Sequence, residues 1–174
     1  MDIKTYLEKF SKSIYDSSIP ADWGYFDDSL LEPLLNLIKS GTSYEKYNAT
    51  NVIRQMYFHG KYHEWILAHT IEPMIQNLQD EFDQTRGYTV VVLSAIGDQR
   101  ALASIISLAT DPSDYVRWVV SWGLGEFGDK RAIPALEWIR DNDKSFQMIM
   151  NNDKTGANKE FNRDVAIKSI AKLS

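Results

Sequence analysis

The chain has 174 residues, 44% of them hydrophobic and 12% aromatic, which suits one domain with a continuous core and excludes a disordered tail. It has no cysteine, so disulfides, thiol catalysis and cysteine-ligated zinc are excluded. The net charge of -5 arises in residues 1–87, with 8 Lys+Arg against 13 Asp+Glu, whereas residues 88–174 hold 11 of each; such a field disfavours phosphate and attracts basic partners where the charges share a face.

Met1-Asp2-Ile3-Lys4 does not open an apolar leader, and no apolar run approaches the ~18 residues of a membrane span, so a cytoplasmic chain without a membrane role is expected. Apolar residues at three- and four-residue spacing predict helices over 2–16, 29–39, 44–58, 70–82, 86–96, 100–110, 114–127, 131–141 and 161–173. Prolines in register, in Glu32-Pro33-Leu34-Leu35, Glu72-Pro73-Met74-Ile75 and Ile133-Pro134-Ala135-Leu136, mark first helical turns, where the missing N–H loses no partner. Ala103 holds that place in the remaining unit, giving spacings of 40, 30 and 31 residues. The acidic excess gathers around Asp22, Asp27, Asp28 and Glu32, then Asp80, Glu81 and Asp83. Residues 59–69 lengthen one connection and are expected to form a short helix of their own. His59 and His63 there are four apart, with His69 following, but Gly60 intervenes and no further ligands cluster, so connector histidines fit better than a metal site.

From residue 86 onward the chain repeats itself. Leu93-x-x-Ile96-Gly97-Asp98-x-Arg100-Ala101-Leu102 returns 31 positions later as Leu124-x-x-Phe127-Gly128-Asp129-x-Arg131-Ala132-Ile133. Arg86 aligns with Arg117, and Ile105 and Leu108 with Leu136 and Ile139; a weaker copy, Arg163-x-x-Ala166-x-x-x-Ile170-x-x-Leu173, closes the chain. One helical hairpin cannot bury its apolar face alone, so repetition implies hairpins stacked on their copies. The register of Val90-Val91-Val92-Leu93 with Ser121-Trp122-Gly123-Leu124 assigns helix to a stretch that propensity would make a strand. Gly97 and Gly128 are expected to turn the chain at positive φ, and Asp98 and Asp129 suit either N-caps of the helices just beyond or the tight turns after those glycines. Residues 142–160 add 15 positions to the last interval and read as a loop rich in Asn, Asp and Lys, although Phe146, Met148, Ile149 and Met150 need packing.

Val116-Arg117-x-x-Val120-Ser121-x-Gly123-Leu124-Gly125-x-Phe127-Gly128-Asp129-x-Arg131-Ala132-Ile133-Pro134-Ala135-Leu136 resembles the short HEAT-like repeat of bilin lyase subunits and many small bacterial proteins. The resemblance is close over 86–141, fair over 162–173 and loose before that. It implies one all-α domain over 1–174: regular repeats at 86–141 and 162–173, degenerate repeats over 1–85, and the 142–160 insertion. The implied fold is a right-handed α-solenoid of about four to five helical hairpins, without a sheet. Its second helices would line a concave face of the kind used to bind proteins.

Departures between copies locate candidate contacts. In 114–127 the family pattern sends Val116, Val120, Gly123, Leu124 and Phe127 to the core, which turns Trp118 and Trp122 outward, one turn apart. Their counterparts are Gly87 and Val91 in one copy and Asp164 and Lys168 in the other. The pair is either a partner-binding stripe or the floor beneath the insertion. Trp138 takes an outward position held by Asn77 and Ser107 elsewhere; with Glu137, Asp141 and Asp80 it would form an aromatic, acidic patch in the groove, extended by Glu81 and Asp83. Such a patch suits an Arg- or Lys-bearing surface.

No phosphate loop, nucleophile elbow or catalytic triad appears, and Gly123-x-Gly125-x-x-Gly128 follows no strand, so neither catalysis nor a cofactor is expected. The expected function is a non-enzymatic protein-binding module, in its sharp form an immunity protein that neutralises a basic, nucleic-acid-cleaving toxin domain; HEAT-like folds occur among such proteins. A HEAT-like scaffold or bilin lyase-type subunit is the alternative. An alkylpurine-type DNA glycosylase fits less well, because DNA binding calls for clustered Lys and Arg. Nucleic acid is therefore not an expected partner.

Overall fold

In the computed structural model, which describes Asp2, Ile3 and residues 5–7, 27–150 and 157–174, the helices are α1 (Leu31–Ser40), α2 (Ser43–Phe58), α3 (His63–His69), α4 (Ile71–Asn77), α5 (Asp83–Ile96), α6 (Leu102–Ser107), α7 (Asp114–Phe127), α8 (Ile133–Asn142) and α9 (Asn162–Leu173). Most of the expected 2–16 helix, and Asp22, lie outside the described residues, although Tyr6 and Leu7 are buried with the core. The expected short helix within 59–69 is α3, and Val90–Leu93 is helical as the repeat register requires.

Local signals start and stop these helices. Thr42 and Glu45 form a capping box at α2, the Thr42 N–H donating to Glu45 at 2.9 Å while the Thr42 side chain accepts from the Glu45 N–H. Gly97 and Gly128 end α5 and α7 at φ 72° and 80°, left-handed values that a Cβ penalises. Asp98 and Asp129 then accept the backbone N–H of Arg100 and Arg131 at 3.0 and 2.9 Å, capping the 3₁₀ turns that lead into α6 and α8.

The first helices α2, α5, α7 and α9 form one row, each packed on the next. The second helices back it: α1 against α2 and α4, α4 against α5, α6 against α7, and α8 against α7 and α9. Between the rows Leu34, Ile38, Ile53, Met56, Met74, Leu93, Ile105, Leu124, Leu136 and Ile139 are fully buried. Each such side chain contributes roughly 1.5–3 kcal/mol by leaving water, so the inter-row core dominates the fold. Small residues bring the first row close together. A Cβ at Gly123 would stand 2.9 Å from Cγ1 of Val90, and one at Gly125 would stand 2.7 Å from Cβ of Ser169.

A polar ladder runs along one end of this row. Lys46 pairs with Asp80 at 2.9 Å, Arg86 with Asp111 at 2.8 Å and Arg117 with Asp143 at 2.7 Å, every carboxylate side chain being 4% exposed or less. Each aspartate also accepts the N–H two residues on, from Phe82, Ser113 and Ser145. Arg86 and Arg117 donate further to the carbonyls of Asp80 and Glu81, and of Asp111 and Pro112. The ladder arginines tie α5 and α7 to the loop before each and to the next unit, while Lys46 ties α2 to the next unit alone.

The all-helical expectation without a sheet needs a correction. The insertion builds β1 (Phe146–Met150) and β2 (Ala157–Phe161), paired antiparallel with Phe146 opposite Phe161 and Met150 opposite Ala157. Its base is anchored rather than free. Asn162 donates to the Asp114 carbonyl at 2.8 Å and to Asp143 at 2.9 Å, while its N–H bonds the Ser145 carbonyl at 3.1 Å. β1 packs on α7 and β2 on α9, which seats Phe146 and Phe161 against each other, ring centroids 5.6 Å apart. The Asn, Asp and Lys of the insertion masked this strand pair although β1 itself is mostly apolar, and the packing expected for Met148 and Met150 is not found, since they stand 57% and 60% exposed.

Candidate functional site

Two surfaces carry the large aromatics singled out by the repeat. On α7, Tyr115, Trp118 and Trp122 follow a spacing of three and four, opposite the buried Val116, Val120 and Leu124. The Tyr115 and Trp118 rings stack at 6.5 Å and 24°. Of the two readings open for Trp118, the structure shows the floor beneath the insertion: it is half-buried, and its Nε1–H donates to Glu160 on β2 at 3.0 Å. The hairpin is its lid. Trp122, one turn further along, stays 38% exposed.

On α8, Pro134, Trp138 and Asp141 share the exposed face opposite the buried Leu136 and Ile139, and Trp138 is 42% exposed. Glu137 and Asp141 are not free acids beside it. Arg140 reaches Asp141 at 2.7 Å and Glu137 at 3.6 Å, and its hydrogen bonds hold the Asp141 carboxyl below the usual carboxylate range. Asn77 is not an outward counterpart of Trp138 either: it is buried and donates to the Ile38 carbonyl at 3.0 Å, whereas Ser107 is exposed. α7 and α8 belong to opposite rows, so Trp122 and Trp138 lie on different outer faces.

The acidic trio separates as well. Asp80, placed in the groove by sequence, is instead the ladder partner of Lys46, with its side chain only 4% exposed. Burial pushes its carboxyl up, but hydrogen bonds from Ser43, Lys46 and Phe82 outweigh this and hold it low. Glu81 is exposed, and its carbonyl receives Arg86. Asp83 opens α5 and accepts the Ser113 hydroxyl at 2.8 Å. There it joins Tyr47, Gln84, Tyr115 and Gln147 around a cavity of about 360 Å³. Burial raises the Tyr115 phenol, and the Asp83 carboxylate raises it further. Asp83 therefore meets the aromatic face of α7 and not Trp138. Sequence reasoning missed Tyr115, which sits three residues before Trp118 on the same helical face. It also missed Tyr47 and Gln147, for which one repeat offers no signal.

The histidines remain local. His63 stacks on Tyr57 at 4.5 Å with Nε2 2.8 Å from its carbonyl oxygen, and His69 stacks on Trp65 at 5.4 Å. Among the described residues no three His, Cys, Asp or Glu side chains gather as metal ligands, and no helix is long and apolar enough to cross a membrane.

Residues 71–148, from α4 into β1, match the family profile of HEAT repeats. The match supports a HEAT-like repeat family, and the paired helical rows agree with it. No curated protein matches the chain. HEAT repeats commonly mediate protein interactions, so the class of protein indicated is a protein-binding scaffold.

Proposed function

We propose that this chain is a non-enzymatic protein-binding module, built as a right-handed solenoid of four to five hairpins, and specifically an immunity-type inhibitor that neutralises a basic, nucleic-acid-cleaving toxin domain in the cytoplasm. The observation that carries the reading is the exposure of Trp122 and Trp138, 38% and 42%, on outer faces of a stack whose core is complete without them. Half-exposed tryptophan is a costly surface residue and a frequent interface anchor. The net charge of -5 supports a cationic partner.

Affinity capture with the tagged chain, followed by binding kinetics on the captured protein, tests this. The partner is expected to be basic and to lose its nuclease activity when bound. Trp138→Ala or Trp122→Ala should speed dissociation, with a cost of about 2 kcal/mol at whichever face is the anchor. A neutral or acidic partner, or two tryptophan variants that bind like wild type, would refute the reading.

A further inference from the structure

The cavity beside α7 has a chemistry of its own. Tyr47 comes from α2, Asp83 and Gln84 from the first turn of α5, Tyr115 from α7 and Gln147 from β1, so the hairpin supplies one wall. At about 360 Å³ it falls near the bottom of the ~300–1,000 Å³ range of small-molecule sites, a size that suits one side chain and its peptide link.

Among the carboxylates around it, Asp83 makes no direct ion pair, although it lies in the field of Arg86 three residues on. Lys46 is bound to Asp80 at 2.9 Å, and Arg86 to Asp111 at 2.8 Å and to the carbonyls of Asp80 and Glu81. Asp83 is partly buried and accepts the Ser113 hydroxyl through Oδ2; among the described residues no cation lies within ion-pair distance of it. The tyrosine rings are held in place, Tyr47 against Tyr88 at 5.0 Å and Tyr115 against Trp118 at 6.5 Å. Gln147 adds an unanswered donor: its Nε2 is buried without a hydrogen-bond partner. A carboxylate beside two phenol rings selects a cation, and the planar, weakly hydrated guanidinium stacks on such rings better than an ammonium does. That N–H has no open surface in the free chain, so a peptide carbonyl brought in with its side chain reaches it only once the half-buried Gln147 side chain turns into the cleft.

We propose that this cleft receives an arginine side chain from a partner polypeptide, the guanidinium against Asp83 and the tyrosine rings and the main-chain carbonyl accepting from Gln147. This rests on the protein-binding reading and names the chemistry that the surface takes from its partner.

The test is an NMR titration of the full chain with acetyl-Gly-Arg-Gly-amide, following the Tyr47 and Tyr115 ring signals. Peptides with lysine or with citrulline, the uncharged isostere of arginine, run beside it. The arginine peptide should shift both rings saturably, lysine should bind more weakly, and citrulline at least about tenfold more weakly. Asp83→Asn keeps an acceptor for Ser113 and should weaken the arginine peptide about tenfold; Gln147→Ala should weaken all three alike. Citrulline binding as well as arginine, an unaffected Asp83→Asn, or unmoved tyrosine rings would overturn the assignment. If a captured basic protein binds wild type and Asp83→Asn equally, the cleft assignment fails while the scaffold reading stands. If no basic protein is captured but the peptide series behaves as expected, the cleft stands and the inhibitor reading fails.

Discussion

At the residue scale, Asp143 shows how a carboxylate can belong to the fold and not to the surface. Burial raises its carboxyl, yet hydrogen bonds from Arg117, Ser145 and Asn162 overcome this and hold it at about 2, against 3.8 for an unperturbed aspartate. The folded value lies below the unfolded one, so the stabilisation is fully present above the unfolded value and is lost as pH falls from about 5 toward about 2. Asp143→Asn should therefore lower stability by about 2 kcal/mol near neutrality, with the gap closing in acid. Urea unfolding across that pH range reads it directly. A gap that stayed constant down to about pH 2 would mean that the charge contributes nothing. Asp80 follows the same logic, and its burial is why an acidic side chain next to Glu81 and Asp83 cannot be assumed to face a partner.

At the scale of elements, α7 is gripped by α5 on one side, α9 on the other and the hairpin above. Glycine makes the grip possible. At Gly125 a Cβ would approach Cβ of Ser169 to 2.7 Å and its Cα to 3.1 Å, so Gly125→Ala must push α9 away. The expected cost is about 1–3 kcal/mol in spite of alanine's better helix propensity, since overpacking outweighs propensity here. Thermal unfolding of Gly125→Ala and of the double variant with Ser169→Gly checks this. Ser169→Gly should restore part of the loss if the clash is the cause; equal destabilisation in both variants would point elsewhere. The hairpin has a comparable dependence, because Trp118 and Asn162 anchor it and two short strands would be marginal alone.

At the scale of the whole molecule, the ladder aspartates Asp80, Asp111 and Asp143 are neutralised by their partners, so the long-range field comes from the remaining surface acids. Association with a basic partner should slow as ionic strength rises through the range where the screening length shrinks below about 10 Å. Glu81→Lys should mainly lower the on-rate, whereas Asp80→Lys should destabilise the chain itself, because it buries a cation beside Lys46. Stopped-flow association over a salt series, with unfolding curves for each variant, separates the two effects. An on-rate indifferent to salt would remove electrostatic steering from the account.

The helices, their glycine stops, their aspartate caps and the stacking of hairpins were legible in the sequence, because each follows from local chemistry repeated at a fixed interval. Gly97 and Gly128 announce a left-handed turn wherever the chain goes next, and apolar spacing declares which face must be buried. Outwardness was legible only in part. Trp138 and Trp122 are exposed as their helical positions require, and Trp118 is covered by the insertion, one of the two outcomes its outward position allowed; helical period could not choose between them, because the hairpin arrives from 42 residues away. Asn77 and Asp80 looked like surface residues because polarity was the available sign. Only the fold supplies the Ile38 carbonyl and the Lys46 ammonium that let them be buried. The cleft of Tyr47, Asp83, Tyr115 and Gln147 belongs wholly to the tertiary structure. Its members come from three successive units and the insertion, and spacing within one unit cannot show which side chains stacking brings together.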